Sequence, residues 1–407
     1  MPEFLTLLPP QEALAKWLAQ FHALPVPETI ATVDALGRVL AAPAIAAHPL
    51  PQFARATVDG YAVRARDTHG AGESLPAYLT LAGEVPMGQA PAFTLTPAHC
   101  ALIHTGGMLP GGADAVVMVE HTQPARAGEI EILRAVAAGE NVIQIGEDVQ
   151  PGEIVIPAGT LLRPAEIGGL LALGLTHIAG ARPPRVAILS SGDEVVSPEI
   201  EPAPGQVRDI NTYSLAALIR QAGGLPIPHG ILPDDARFFA MAAERALAEC
   251  DLVLFTAGSS VSARDLTATT IDGLGAPGVL VHGVSVRPGQ PTILAVCDGK
   301  PVIGLPGNPV SALVIAQLFV VPVIHRFLGL RAARPASLVT ARLTVNLPSQ
   351  AGREDWVPVR LTPSGDAEPV FGKSNLIFTL ARADGLIRIP PDANGLEAGA
   401  LVEVTIF

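Results

Sequence analysis

Ala13, Leu14, Trp17, Leu18 and Phe21 recur at helical spacing, which predicts an amphipathic helix over 11–23 that ends at the break Pro25-Val26-Pro27. From 49 to 144 the period shortens. Alternating runs such as 79–82 and 115–119 stand between Gly and Pro turns, the pattern of a small β-rich region. Helical spacing returns over 165–175. A β-rich stretch between two helical segments of similar character reads as an insertion, residues 49–144, into a discontinuous helical domain formed by 1–48 and 145–180.

The next segment, 181–330, alternates strand and helix. Strands are expected at 186–189, 227–231, 252–255, 279–284, 292–296 and 302–305, and helices at 213–222, 235–249, 266–274 and 310–328. Such alternation predicts a mainly parallel sheet covered by helices. Strand patterns punctuated by Gly and Pro then fill 331–407, a small C-terminal β-domain. The fold class expected is a multidomain α/β plus β protein.

Composition narrows the possibilities. With 49% apolar and 16% charged residues among 407, the chain can bury enough surface to fold, and 40 Gly with 39 Pro supply many tight turns. A net charge of −12 excludes the broad basic field that captures nucleic-acid phosphates or anionic lipid, so an anionic ligand needs locally placed donors. Cys100, Cys250 and Cys297 lie far apart without metal-ligand or disulfide spacing, and read as buried thiols of a reducing compartment. The N-terminus has no basic leader, and the apolar stretch 312–324, interrupted by Gln317 and Pro322, is too short to span a bilayer. A cytoplasmic, soluble protein is expected.

Three of the apolar strands lead into loops of small residues: Ser190-Ser191-Gly192-Asp193-Glu194, Thr256-Ala257-Gly258-Ser259-Ser260 and Pro306-Gly307-Asn308-Pro309-Val310-Ser311. Open parallel sheets bind ligands beyond the carboxyl ends of their strands, where backbone N–H groups and neutral hydroxyls can hold a phosphate. Any one such loop is also an ordinary strand exit; three together favour a site. The segment Arg287-Pro288-Gly289-Gln290-Pro291 places a cation beside a rigid turn, either as an oxyanion clamp or as a surface Arg. Glu194, Asp234 and Asp265 sit in or beside sheet-end loops, as hard oxygen ligands of Mg²⁺ or as solvated carboxylates. In the β-rich region Asp59 and Thr105 stand out in turn-rich polar segments, with turn formation as the plainer reading. The histidines show no metal-ligand spacing, and no zinc is assigned.

Taken together the motifs resemble the molybdopterin molybdenumtransferases, the MoeA or gephyrin E-domain family, over nearly the whole chain. The residues that carry the resemblance are Val-Asp-Gly-Tyr-Ala at 58–62, Thr-Gly-Gly at 105–107 continuing to Val116, Gly-Glu-Asn at 139–141, Gly-Glu-Asp at 146–148, Ser-Gly-Asp-Glu at 191–194, Asp209 with Asn211, and Gly-Leu-Pro-Gly-Asn-Pro-Val-Ser at 304–311. The resemblance implies a four-part subunit with an α/β molybdopterin-binding domain and a C-terminal β-barrel, paired as a homodimer with clefts between subunits. It implies Mg²⁺-dependent insertion of molybdate into adenylylated molybdopterin with release of AMP, with the preceding adenylyltransferase as a possible partner. Pterin and phosphates would lie along the three sheet-end loops. Asp59 and Thr105 would approach from the other subunit, Asp148, Asp234 and Asp265 would fall on acidic positions of the pattern, and Arg353 and Ser374 would contact an oxyanion. No nucleic acid or membrane partner is implied. Departures fall at Gln290, where the family carries a cation, and in the Gly258-Ser259-Ser260 loop, which with His282-Gly283 resembles a divergent subgroup. A pterin-binding scaffold without turnover, tungstate insertion, and an unrelated sugar- or nucleotide-phosphate enzyme are the alternatives.

Overall fold

The computed structural model of the protein describes residues 7–233, 235–256, 261–331 and 338–407, with backbone alone for 261–265. The chain divides into two compact units, one comprising the residues up to Ala42, Ala158–Pro164 and His177–Phe407, the other Pro43–Pro157 and Ala165–Thr176.

The first unit is built on a six-stranded sheet in the order Leu225–Leu232, Arg185–Ser191, Leu252–Thr256, Lys300–Leu305, Ile293–Cys297, Pro277–His282. The first four strands run parallel, and the last two pairings are antiparallel, with Ile293–Cys297 the one strand of reversed direction. Sequence alternation predicts the parallel part; the antiparallel part has a local cause. Asp298 and Gly299, at φ of 50° and 80°, both take the left-handed conformation of a two-residue hairpin turn, so Cys297 pairs directly with Lys300 and the chain folds straight back.

The central strands carry near-continuous apolar runs because both faces are covered. Val186, Ile188, Leu252, Leu254 and Ile303 enter one core with Leu215 and Ile219 of the helix Asn211–Gln221 and with Phe319 and Val323. Ala187, Leu189, Val253 and Phe255 enter the opposite core with Phe239, Ala243 and Ala246 of the helix Ala236–Glu249. The N-terminal helix Pro10–Leu18 packs on the first of these cores, and the buried indole N–H of Trp17 donates to the Ala295 carbonyl at 2.6 Å.

Helical backbone from Pro309 to Phe327 is interrupted by a π turn at Ala316–Val320. Pro322, which lacks an N–H and crowds the preceding turn, accounts for that widening. This run is the one helix among the described residues long and apolar enough to cross a membrane, and it is a core helix: 61% of its most apolar window is buried, with Ile315, Phe319 and Ile324 inside. One edge of the sheet is the strand Leu225–Leu232, which contains Pro226 and Pro228 and whose Leu225 N–H donates inward to the Pro184 carbonyl at 2.8 Å.

C-terminal to the helical run, five strands close into a barrel: Glu354–Leu361, Asp366–Pro369, Leu338–Leu343, Leu401–Ile406 and Gly385–Ile389, the last pairing back with the first. Leu343, Val359, Ile387, Ile389 and Val404 fill it. The short strand Val286–Arg287 joins the barrel by pairing in parallel with Glu354 and Asp355.

The second unit carries another six-stranded sheet, in the order Ala115–Met118, Gly60–Val63, His99–Ile103, Ala77–Glu84, Glu129–Ile132, Thr122–Pro124. Its two small cores are lined by Ala62, Ala101, Ile103 and Val116 on one side and by Val63, Cys100, Val117 and Ile132 on the other. The helix Pro164–Ala172 lies almost wholly in this unit by sequence.

Candidate functional site

Register brings the sheet-end residues together. Ser190 lies beside Thr256, and Thr256 beside Leu305, at the carboxyl ends of three adjacent parallel strands. The chain beyond them opens into a cavity of about 690 Å³ lined by Ser190, Ser191, Glu194, Asp209, Asn211, Thr256, Gly307 and Asn308, among others. Ser190, Ser191 and Thr256 are each 3% exposed. Asp209, also buried, accepts from the Thr212 N–H at 3.1 Å through Oδ1 and so caps the helix Asn211–Gln221. Asn211 donates from Nδ2 to the Gly307 carbonyl at 2.8 Å, which fixes the orientation of its amide. Its Oδ1 is buried and has no partner among the described residues. A buried acceptor left unpaired costs about 1–3 kcal/mol, so this oxygen is a place for a ligand N–H or O–H.

A second cavity, of about 910 Å³, lies between the α/β domain and the barrel within the same unit. Among the residues that line it are Arg287, Gln290, Pro306, Asn308, Ser311, Arg353, Asp355, Lys373 and Ser374. Asp355 is buried. It accepts from Arg353 Nε at 2.9 Å through Oδ1, and Arg287 Nη1 lies 3.9 Å from Oδ2. The parallel pairing of Val286–Arg287 with Glu354–Asp355 sets that geometry through the backbone. Opposite, Asn308 Nδ2 donates to Ser374 Oγ at 3.0 Å, and the Val310 N–H donates to the Ser374 carbonyl at 3.0 Å. Gly289 holds the turn beside Gln290 at φ of 116°, and a Cβ there would stand 2.3 Å from Ile315 Cγ1, so neither conformation nor space admits another residue unstrained. Asn308 and Asn375 line both cavities, which therefore adjoin.

In the second unit, antiparallel register pairs Gly60 with Ile103, so the residues just outside that pair, Asp59 and Thr105, meet. Thr105 donates to Asp59 Oδ1 from its backbone N–H at 2.7 Å and from Oγ1 at 3.0 Å. These two bonds, the backbone one first, hold the Asp59 carboxyl below its ordinary value. His104 stands between Asp59, 3.9 Å from Nδ1, and Glu84, 3.3 Å from Nε2.

Of the residues nominated from sequence, the structure groups Ser190, Ser191 and Glu194 in the first cavity, with Gly307 and Asn308, and groups Arg287, Gln290, Pro306, Asn308, Ser311, Arg353 and Ser374 in the second. Gly192 and Asp193 belong to the loop after Ser191, Gly192 buried and Asp193 exposed. Asp148 is exposed in the second unit, its N–H on the Leu50 carbonyl at 3.0 Å. Asp234, Gly258, Ser259, Ser260 and the Asp265 side chain lie outside the described residues. Sequence reading did not nominate Asp209, Asn211 or Asp355. The first two were present in the quoted Asp-x-Asn motif; the local signal at Asp355 was Arg353 two residues before it, and its approach to Arg287 comes from a pairing between segments distant in the chain.

No group of three His, Cys, Asp or Glu close enough to hold a metal occurs among the described residues. Glu194 and Asp209 are the two carboxylates that line the first cavity, a donor set that fits Mg²⁺ in its usual manner, held by one or two carboxylates with water and substrate phosphate completing the shell. All three cysteines are free and buried, and burial pushes the Cys100 thiol up to about 12 and the Cys297 thiol up to about 11.

Family models match in succession: the MoeA N-terminal region (domain I and II) over residues 8–174, a "Probable molybdopterin binding domain" over 187–326 and the MoeA C-terminal region (domain IV) over 340–407. An α/β domain of that description, with a closed barrel against the ends of its loops, defines a protein of molybdenum cofactor biosynthesis. The chain is 37% identical over 324 residues to a molybdopterin molybdenumtransferase of Nostoc, covering 79% of this chain and 74% of that one. With molybdopterin molybdenumtransferase 2 of Mycobacterium tuberculosis it shares 33% identity over 385 residues, covering 93% and 94% of the two chains. The crystal structure of a molybdopterin biosynthesis MoeA protein from Pyrococcus horikoshii superposes with a TM-score of 0.84 at 37% identity, covering 98% of this chain and 99% of that one. The chain belongs to the MoeA family of molybdopterin molybdenumtransferases, and the family and fold class expected from its motifs are borne out.

Proposed function

We propose that the protein inserts molybdate into adenylylated molybdopterin and releases AMP, with Mg²⁺ as cofactor. The observation that carries this reading is the pair of adjoining cavities, one lined at the sheet ends by neutral hydroxyls and amides together with Glu194, Arg208 and Asp209, the other against the barrel by Arg287, Arg353 and Lys373 around Asp355. The first suits a pterin and its phosphates: Ser190, Ser191 and Thr256 are neutral donors, and the Asn211 oxygen is a waiting acceptor. The second suits a tetrahedral oxyanion, with Arg287, Arg353, Gln290 and Ser374 around it.

The dithiolene sulfurs of the substrate receive the molybdenum, so the protein needs no reactive thiol; its buried cysteines, held protonated, are consistent with that. Mg²⁺ held by Glu194, with Asp234 and Asp265 contributing, would neutralise charge on the phosphoanhydride as AMP leaves. Asp59, kept ionised by Thr105, would face the substrate of the other protomer in a homodimer, and Asp148 would contribute a further carboxylate there. The adenylylated pterin would come from an adenylyl-transferring enzyme in the cytoplasm.

The test is incubation of the purified protein with adenylylated molybdopterin, Mg²⁺ and either molybdate or tungstate, with AMP measured by chromatography. Release of AMP that requires the oxyanion is expected. No release with either oxyanion over a wide concentration range refutes the assignment and leaves a pterin-binding scaffold.

A further inference from the structure

We propose that Lys373 is the residue that captures the oxyanion in the cavity between the α/β domain and the barrel, a role that rests on the function proposed above. The charges lining that cavity decide it. Arg287, Arg353 and Lys373 face it as cations, and Asp355 faces it as an anion. One carboxylate answers the two guanidiniums: Arg353 donates to one oxygen of Asp355 at 2.9 Å, and the largely exposed Arg287 lies 3.9 Å from the other. Among the described residues no carboxylate pairs with Lys373, so of the three cations it alone has no carboxylate within ion-pair distance.

Its position fits the task. The chain at Lys373 is anchored, since its carbonyl accepts from the Leu376 N–H at 2.9 Å and the next carbonyl, that of Ser374, accepts from the Val310 N–H at 3.0 Å. The side chain itself is exposed, a mobile ammonium with three donors on a fixed root. Ser374 adds to it: its Oγ accepts from Asn308, which leaves the hydroxyl proton to donate to an anion at the same place. The neighbouring Asn375 lines the sheet-end cavity too, so an anion gathered at Lys373 lies on the side from which the bound pterin is reached. The two arginines then serve as a frame of fixed positive charge, and Lys373 as the arm that closes on the ligand.

A tetrahedral dianion at this place is either free molybdate or a phosphate ester, and the experiment separates them. Wild-type protein, Lys373→Gln and Lys373→Arg are titrated calorimetrically with sodium molybdate and, separately, with inorganic phosphate; AMP release is measured at limiting molybdate. Loss of one charge-assisted contact predicts binding about tenfold weaker in Lys373→Gln, with Lys373→Arg within about threefold of wild type. Thermal unfolding of both variants should match wild type, because the side chain is exposed. Unchanged affinity for both anions in Lys373→Gln, equal weakening in Lys373→Arg, or a wild type that binds neither anion overturns the proposal. Lys373-dependent binding of an anion by a protein that releases no AMP would support this assignment and remove the transferase reading. AMP release at limiting molybdate that is indifferent to Lys373→Gln would do the reverse.

Discussion

Thr105 gives both its backbone N–H, at 2.7 Å, and its hydroxyl, at 3.0 Å, to the same oxygen of Asp59, leaving Oδ2 without either bond. One oxygen is thus fixed by the fold and the other is turned outward on a residue that is largely exposed. An arrangement of this kind orients a charge without burying it.

Thr105→Val keeps the backbone bond and removes the hydroxyl. Asp59's folded value is depressed, so its contribution is present above its ordinary value of 3.8 and lost as pH falls through the lowered one. In the variant that value should rise part of the way back, read by carbon NMR of the carboxylate. AMP release should fall about tenfold, the weight of one hydrogen bond to a charged group, while Thr105→Ser stays near wild type. An unshifted titration in Thr105→Val would show that the hydroxyl does not hold the carboxylate.

Asn211→Ala should act on both folding and binding. It breaks the bond to the Gly307 carbonyl, costing about 1 kcal/mol in a denaturant titration, and it deletes the unpaired acceptor in the sheet-end cavity. The KM for the pterin substrate should rise about tenfold. A stability loss with unchanged KM would place the orphan oxygen outside the ligand's reach.

Gly289→Ala is expected to destabilise by about 1–3 kcal/mol, since the added carbon meets Ile315 Cγ1 at 2.3 Å in a left-handed backbone. The turn beside Gln290 would shift with it, so oxyanion affinity should fall as well. Chemical denaturation and molybdate titration of the same preparation check both effects.

The cysteines give a pH prediction. Their folded values lie above the ordinary 9.0, reaching about 12 at Cys100 and about 11 at Cys297, because burial disfavours the thiolate. The stability linked to these protonated thiols is therefore complete below pH 9 and declines between about 9 and 12 as the unfolded chain ionises first. At pH 8 an aromatic disulfide reagent should leave the native thiols unmodified and react fully in denaturant; rapid native reaction would contradict their burial.

Much of this structure was legible beforehand, and the limits are physical. Continuous apolar runs such as Leu252–Thr256 announce strands covered on both faces, and the loops that follow them are marked by small residues. The mainly parallel sheet follows from the alternation of strand and helix; its antiparallel edge is set instead by the hairpin turn Asp298-Gly299, which alternation does not register. Asp59 and Thr105 were each nominated from local composition, but their contact depends on the register that sets Gly60 against Ile103. Arg353 is only two residues from Asp355, but Arg287 reaches it because a two-residue strand joins the barrel, and no periodicity records that pairing.

The edge strand Leu225–Leu232 turns its Leu225 N–H inward, so the alternate positions, Pro226 and Pro228, are those whose donors would have faced solvent, and proline has none. On that flank a passing extended chain finds carbonyls but no matching N–H groups at two successive rungs, and cannot zip on as a further strand. At that edge, proline rather than charge closes the sheet to strand addition.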